Sequence, residues 1–278
     1  MAGLLLGATG GSATPPGGNG PILFTQKDLR LAVVSEDGSG YQELPVSGDA
    51  PSWSPDGDRI VYVDRDLNLA VARADGTNVR ELRASGFQPA WSPDGSRIAF
   101  TNSAPNDVFT IRLDGSGLRK LTRSKGYDLV PVWSPDGTQI AYSGQRHCAV
   151  RFLPSCPMQI FVMNADGSNK RRVTSGETDV VAFSWSPDGT TLAAGIFERR
   201  LAAGSRTAIA TVRLDGTGFR TVTAFSDEDY WPAWSPDGTR IVVASEKGGL
   251  ASIAPDGAAR RLILPDGAAP DWLPAQPR

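Results

Sequence analysis

Histidine and cysteine are scarce in this sequence, and their scarcity excludes several kinds of catalytic site. The 278 residues include 1 histidine and 2 cysteines, too few for a histidine-rich metal centre. The sequence also lacks a G-x-S-x-G nucleophile turn, a glycine-rich phosphate loop and a zinc motif. We therefore assign no catalytic residue.

An excess of charge of one sign and long apolar runs are missing as well. The 28 basic and 30 acidic residues give a formal net charge of −2 at pH 7, so we expect no nucleic-acid partner. No stretch approaches the ~20 apolar residues that span a bilayer, so we expect no membrane span. Residues 1–20 lack the positive start and apolar run of a secretory signal. We expect them to form a flexible leader, or the clipped remainder of an export signal, and residues 274–278 to form a tail.

The sequence does contain a repeated five-residue motif, W-S-P-D-G. It begins at Trp53, Trp91, Trp133, Trp185 and Trp234. Its Ser, Pro and Gly occupy the first, second and fourth positions that a type I turn favours. An apolar run follows each copy, so each motif is predicted to close a hairpin between two strands.

A second turn signal, Asp-Gly, recurs in step with the first. Its aspartates are residues 37, 75, 114, 166, 215 and 256. Together the two signals define a unit of four strands. Residues 22–46 resemble such a unit without its first strand, and residues 269–273 resemble an isolated first strand. The C-terminal strand can therefore complete the N-terminal unit, which gives six units in a closed ring without lateral sheet edges.

These repeats, with A-D-G or L-D-G at the second turn, resemble the TolB-like β-propellers, a family of WD40-like repeats also called PD40. The resemblance covers about residues 21–273. It implies an all-β fold, a six-bladed β-propeller of four-stranded antiparallel blades. It also implies that the first strand of each blade lines a central channel. Because Trp and Pro share one face of that strand, the motif tryptophans are expected to pack between blades. The alternative, stacking on a carbohydrate, would need them to be exposed.

Loops of irregular length are predicted to lie on the face opposite the motif turns, where binding usually resides. Acidic residues recur there, just ahead of the first strands. They are Asp49, Asp128, Asp179 and Asp229, with Asp227, Glu228, Asp266 and Asp271 nearby. We predict an acidic ring at the channel mouth that binds a cationic partner or one divalent cation such as calcium. Solvated loop charge is the simpler interpretation of any single residue.

One tryptophan falls outside the repeat. Trp231 lies beside Tyr230, and the pair directly follows three acidic residues. An aromatic pair at a rim is typical of a binding hot spot, although filling space between blades is an equal alternative. The predicted partner-binding set is therefore Asp49, Asp128, Asp179, Asp229, Tyr230 and Trp231.

Both cysteines and the histidine fall in one predicted loop, residues 144–157. A disulfide between Cys148 and Cys156 would indicate an oxidising compartment, hence a periplasmic or secreted protein. The alternatives are two free thiols in the cytoplasm, or a metal site with His147.

The sequence thus favours a monomeric, non-catalytic scaffold without a required cofactor, which binds a protein or peptide at the channel mouth. The alternative is a hydrolase or lyase that acts on a glycan or peptide with carboxylates at that mouth.

Overall fold

The structure is a computed structural model, and it describes residues 19–104, 106–145, 157–176, 178–198, 206–245 and 249–274. Cys148, Cys156, His147 and residues 1–18 lie outside these ranges. Within them the chain is all β apart from one 3-10 turn, Phe225–Asp227. No helix in these ranges is long and apolar enough to cross a membrane.

The strands are short and are numbered here in chain order. They are β1 (Ile22–Thr25), β2 (Arg30–Val34), β3 (Gln42–Ser47), β4 (Asp49–Trp53), β5 (Arg59–Val63), β6 (Asn68–Arg73), β7 (Arg80–Trp91), β8 (Arg97–Asn102), β9 (Val108–Arg112), β10 (Arg119–Lys120), β11 (Asp128–Trp133), β12 (Gln139–Gly144), β13 (Gln159–Asn164), β14 (Arg171–Arg172), β15 (Asp179–Trp185), β16 (Thr191–Glu198), β17 (Arg206–Arg213), β18 (Arg220–Thr221), β19 (Asp229–Trp234), β20 (Ile241–Ser245), β21 (Gly249–Ile253), β22 (Arg261–Leu264) and β23 (Ala268–Trp272).

These strands form antiparallel sheets arranged as a β-propeller. Four sheets have four strands each, in the orders β23-β1-β2-β3, β11-β12-β13-β14, β15-β16-β17-β18 and β19-β20-β21-β22. The fifth has seven strands, in the order β10-β9-β8-β7-β6-β5-β4. The sequence predicts units of four strands each, whereas here the long strand β7 pairs with β6 through its first half and with β8 through its second half.

The ring closes as the sequence predicts. The C-terminal strand β23 pairs with β1, with Ile22 opposite Trp272 and Leu23 opposite Asp271. The inner strands then contact one another in a circle, β4 with β7, β7 with β11, β11 with β15, β15 with β19, β19 with β23 and β23 with β4. These strands surround a central channel.

The motif builds the turns that the sequence predicts. In the third copy, the Gly137 N–H donates to the Ser134 carbonyl at 2.9 Å, and Gly137 has φ of +70°. The Ser134 hydroxyl donates to Asp136 Oδ1 at 2.6 Å and accepts from the Gln139 N–H at 2.9 Å. The hydrogen bonds from Ser134 and from the Thr138 N–H lower the pKa of Asp136. The turn is therefore held by its own side chains.

The motif tryptophans pack between neighbouring sheets. Trp53 is 5% exposed and lies in a core cluster that also contains Leu23 of β1 and Tyr62 of β5. The indole N–H of Trp91 donates to the Ser52 carbonyl of the preceding inner strand at 3.2 Å. These contacts support the packing role of Trp53 and Trp91, although all five motif tryptophans also border the channel on the face of the motif turns.

Candidate partner-binding channel

The channel widens into a cavity at each end. The cavity on the face of the loops, here called the variable-face cavity, has a volume of about 560 Å³. The cavity on the face of the W-S-P-D-G turns has a volume of about 910 Å³. Six residues, each directly before a motif Trp or Trp272, line both cavities. They are Ser52, Ala90, Val132, Ser184, Ala233 and Asp271, and we call them the waist.

A β-bulge shapes the inner strands above the waist. The register of β4 with β5 shifts between Asp49 and Ser52, and β7, β11 and β19 shift at equivalent places, whereas β15 shifts earlier, between Val180 and Ala182. Five residues that lie three positions before a motif Trp or Trp272 have positive φ angles and line the variable-face cavity. They are Ala50, Gln88, Val130, Trp231 and Ala269. Positive φ is costly for Val and Trp, so this conformation is imposed by the fold and repeats around the channel.

The bulge separates the predicted aromatic pair. Trp231, with φ of 45°, lines the variable-face cavity. Tyr230 instead packs against the core cluster that contains Phe24 and Trp272. The two rings meet edge to face with their centroids 5.1 Å apart. Trp231 can therefore touch a ligand in the cavity, while Tyr230 supports it from the core side.

Two exposed leucines at the rim were missed by the sequence analysis. Leu29 and Leu67 line the variable-face cavity and are 41% and 47% exposed. Both have positive φ angles, 65° and 63°, in tight turns between strands. The signal in the sequence is an Asp-Leu pair in each turn, Asp28-Leu29 and Asp66-Leu67, where polar residues or Gly are usual.

The structure does not gather the four predicted carboxylates into one ring at the mouth. Asp49 lines the variable-face cavity, and its Oδ1 accepts from the Ala50 N–H at 2.7 Å. Asp128 and Asp179 are 0% and 1% exposed. Asp179 Oδ1 accepts from the Met158 N–H at 2.6 Å. Of these three, only Asp49 is placed to meet a partner.

Asp229 is buried as well and belongs to an ion pair. Its two oxygens accept from the guanidinium of Arg260, each at 2.8 Å, and Asp229 is 0% exposed. The hydrogen bonds to Asp229 raise the pKa of Arg260. A bidentate pair of this kind ties β19 to the outer part of its own sheet and leaves little carboxylate surface for a ligand.

One carboxylate does reach the centre of the channel. Asp271 is the ionisable member of the waist, and its Oδ2 accepts from the Trp53 N–H at 2.7 Å. Removal from bulk water raises the pKa of Asp271 to about 6, against the opposing hydrogen bonds from Trp53, Ser52 and Trp272. The sequence analysis placed Asp271 with the mouth residues, whereas it lies at the waist.

The described ranges contain no cluster of side chains that could bind a metal ion. Within them no group of three or more His, Cys, Asp and Glu residues lies close enough together to hold an ion. The cysteine pair and His147 fall outside those ranges, so the predicted disulfide stays a prediction.

Comparisons with known proteins agree on the fold. The family described as TolB beta propeller domain (PD40) matches residues 23–275. The crystal structure of TolB from Acinetobacter baumannii superposes with a TM-score of 0.72 at 21% identity, over 92% of this chain and 67% of that chain. A chain of the nidogen/laminin complex gives a TM-score of 0.75 at 10% identity, over 93% of this chain and 100% of that chain. No curated protein sequence matches significantly.

Proposed function

This chain belongs to the TolB β-propeller family, and on that premise we propose that it is a non-catalytic scaffold that binds a protein or peptide partner in the variable-face cavity. The observation that carries the proposal is the apolar rim of this cavity. Leu29 and Leu67 present apolar side chains at the mouth, and Trp231 lines the wall below them. Exposed apolar groups around a cavity are typical of an interaction site.

The strained conformations at these positions support the same function. Leu29, Leu67 and Trp231 all have positive φ angles, which cost bulky residues on the order of 1 kcal/mol each. Strain of this kind is concentrated at binding sites, where the surrounding fold holds it in place. The nidogen/laminin match adds that a propeller of similar shape occurs in a protein complex.

We also propose that the propeller has six blades. In this interpretation β7 serves two of them, as the outermost strand of one and the innermost strand of the next. The change of pairing partner between Ser85 and Gly86 supports it, as does the circle of inner strands.

Selection from a random peptide library displayed on phage tests the binding function. We expect the protein to enrich specific peptides, and we expect Trp231→Ala and Leu67→Ala to reduce their binding at least tenfold. The matched control is Leu118→Ala, because Leu118 is 53% exposed but does not line the cavity. Equal binding by all variants would contradict the proposal, and so would turnover in a glycan and peptide hydrolysis screen.

We propose further that the protein is periplasmic or secreted, on the strength of the Cys148 and Cys156 pair. Titration of thiols in the unfolded, unreduced protein is expected to find none. Two reactive thiols would favour the cytoplasm.

A further inference from the structure

We infer that the waist receives a basic side chain, a lysine ammonium or an arginine guanidinium, which the partner inserts from the variable face to pair with Asp271. This inference deepens the proposed function and rests on it, because it gives the chemistry of the partner. The carboxylate has a hydrogen-bond donor in the Trp53 N–H at 2.7 Å. Among the described residues, no salt bridge joins Asp271 to a cationic side chain of this chain.

The surroundings of Asp271 fit a single organic cation. The other waist residues are the neutral Ser52, Ala90, Val132, Ser184 and Ala233. Their serine hydroxyls can accept further N–H donors, and their apolar members suit the methylene stem of a long basic side chain. A calcium ion needs six to eight oxygen ligands, and one carboxylate is a poor start toward that number.

The depth of the waist favours a long side chain. Asp49 at the mouth precedes Ser52 at the waist by three residues on β4. Because of the β-bulge these two residues lie opposite Val63 and Val61 of β5, two positions apart, so at about 3.3 Å per residue the waist lies roughly 7 Å inside the channel. Lys and Arg combine the necessary reach with a charge at the tip.

The charges that line the variable-face cavity also favour a cationic side chain. The charged residues that line the variable-face cavity are Asp49, Asp64, Arg65 and Asp271, three acids against one base. A cleft lined mainly by one sign of charge concentrates ligands of the opposite sign. An ammonium group therefore meets favourable potential before it reaches Asp271.

The contrast with the buried Asp229 supports the argument. Asp271 is partly buried, whereas Asp229 is fully buried and the chain supplies Arg260 as its bidentate partner. An ionised carboxylate that is withdrawn from water normally needs such a partner. At Asp271 no described side chain of this protein supplies a cationic partner, and the channel has space for a cation from the binding partner.

Small cations test the inference without a known partner. The probes are n-butylammonium and ethylguanidinium, with n-butanol as the uncharged control. In protein with ¹³C-labelled aspartate, we expect either cation to shift the Asp271 carboxyl resonance at pH 8 with saturation, and n-butanol to leave it unchanged. We expect Asp271→Asn to lower the affinity for either cation, measured by calorimetry, about tenfold or more, because a charge-assisted hydrogen bond is lost.

The matched control is Asp66→Asn, which removes a carboxylate that is exposed and does not line the cavity. It should bind both cations as the wild type does. Equal binding by Asp271→Asn, or no saturable shift of Asp271, would overturn the inference. If the peptides selected by phage display lack Lys and Arg while Trp231→Ala still abolishes their binding, the scaffold function stands and the basic side chain does not.

Discussion

Replacing Asp271 with Asn should stabilise this protein at neutral pH and have little effect in acid. The folded-state pKa of Asp271 is about 6, against a usual value of 3.8, because the carboxylate is withdrawn from bulk water. A difference of about two units, at 1.36 kcal/mol each, corresponds to about 3 kcal/mol. Channel water reduces this cost, so the figure is an upper limit. Asn keeps the size of the side chain and an oxygen for the Trp53 N–H.

The sign of the pH dependence follows from the direction of the shift. Below about pH 4 the carboxyl group is protonated in both folded and unfolded chains, so its burial costs little. Between about pH 4 and 6 the folded chain keeps a proton that the unfolded chain has lost, so the free energy of unfolding falls as pH rises. Above about pH 6 the full cost applies. The advantage of Asp271→Asn should therefore be at most about 3 kcal/mol at pH 8 and at most about 0.5 kcal/mol at pH 4.

Urea unfolding of both proteins at pH 4, 5, 6 and 8 measures this difference. Ser184→Ala is the matched control, because Ser184 is a neutral waist residue whose Oγ accepts from the Trp234 N–H at 3.0 Å. Its loss should cost about 1 kcal/mol at every pH. A stability difference for Asp271→Asn that does not change with pH would refute the reasoning, as would a loss of stability at pH 8.

Three further changes test other parts of the structure. Arg260→Met should destabilise the fold by about 3–5 kcal/mol in urea unfolding, because it leaves the buried Asp229 carboxylate unpaired; the double change with Asp229→Leu should recover much of the loss. Ser134→Ala removes two hydrogen bonds of one motif turn and should cost about 1–3 kcal/mol, measured the same way. Trp231→Gly should relieve a positive φ, so its melting temperature should stay within a few degrees of the wild type while peptide binding is lost.

The fold was predictable because its signals are local and repeated. Each W-S-P-D-G turn is held by hydrogen bonds among neighbours in sequence, such as Ser134 to Asp136. The pairing of β23 with β1 then follows from counting strands. The continuous strand β7 was not predictable, because a change of pairing partner between Ser85 and Gly86 leaves no mark in an alternating pattern.

The candidate site was predictable only in part, because the charge of a residue does not indicate whether its side chain is exposed or buried. From the sequence, Asp229 is predicted to lie at the channel mouth. It is instead buried in an ion pair with Arg260, which lies 31 positions away, so the pair is not evident from the sequence. The bulges were hidden for a related reason. A regular pleat would place Tyr230 and Trp231 on opposite faces, but it gives no hint that Trp231 turns into the cavity with φ of 45°.

Asp271 could have been identified from the sequence by its place in the repeat. It directly precedes Trp272, and the equivalent residues of the other units are Ser, Ala, Val, Ser and Ala. Because alternate residues of a strand point to opposite faces, this position faces away from the packed tryptophans and toward the channel. A carboxylate there accepts a hydrogen bond from the next inner strand, as the Ser184 hydroxyl also does, but its charge costs stability at neutral pH. If Asp271→Asn proves more stable and also loses the organic cations, stability and binding oppose each other at this residue, as expected where a fold retains an unfavourable group for its function.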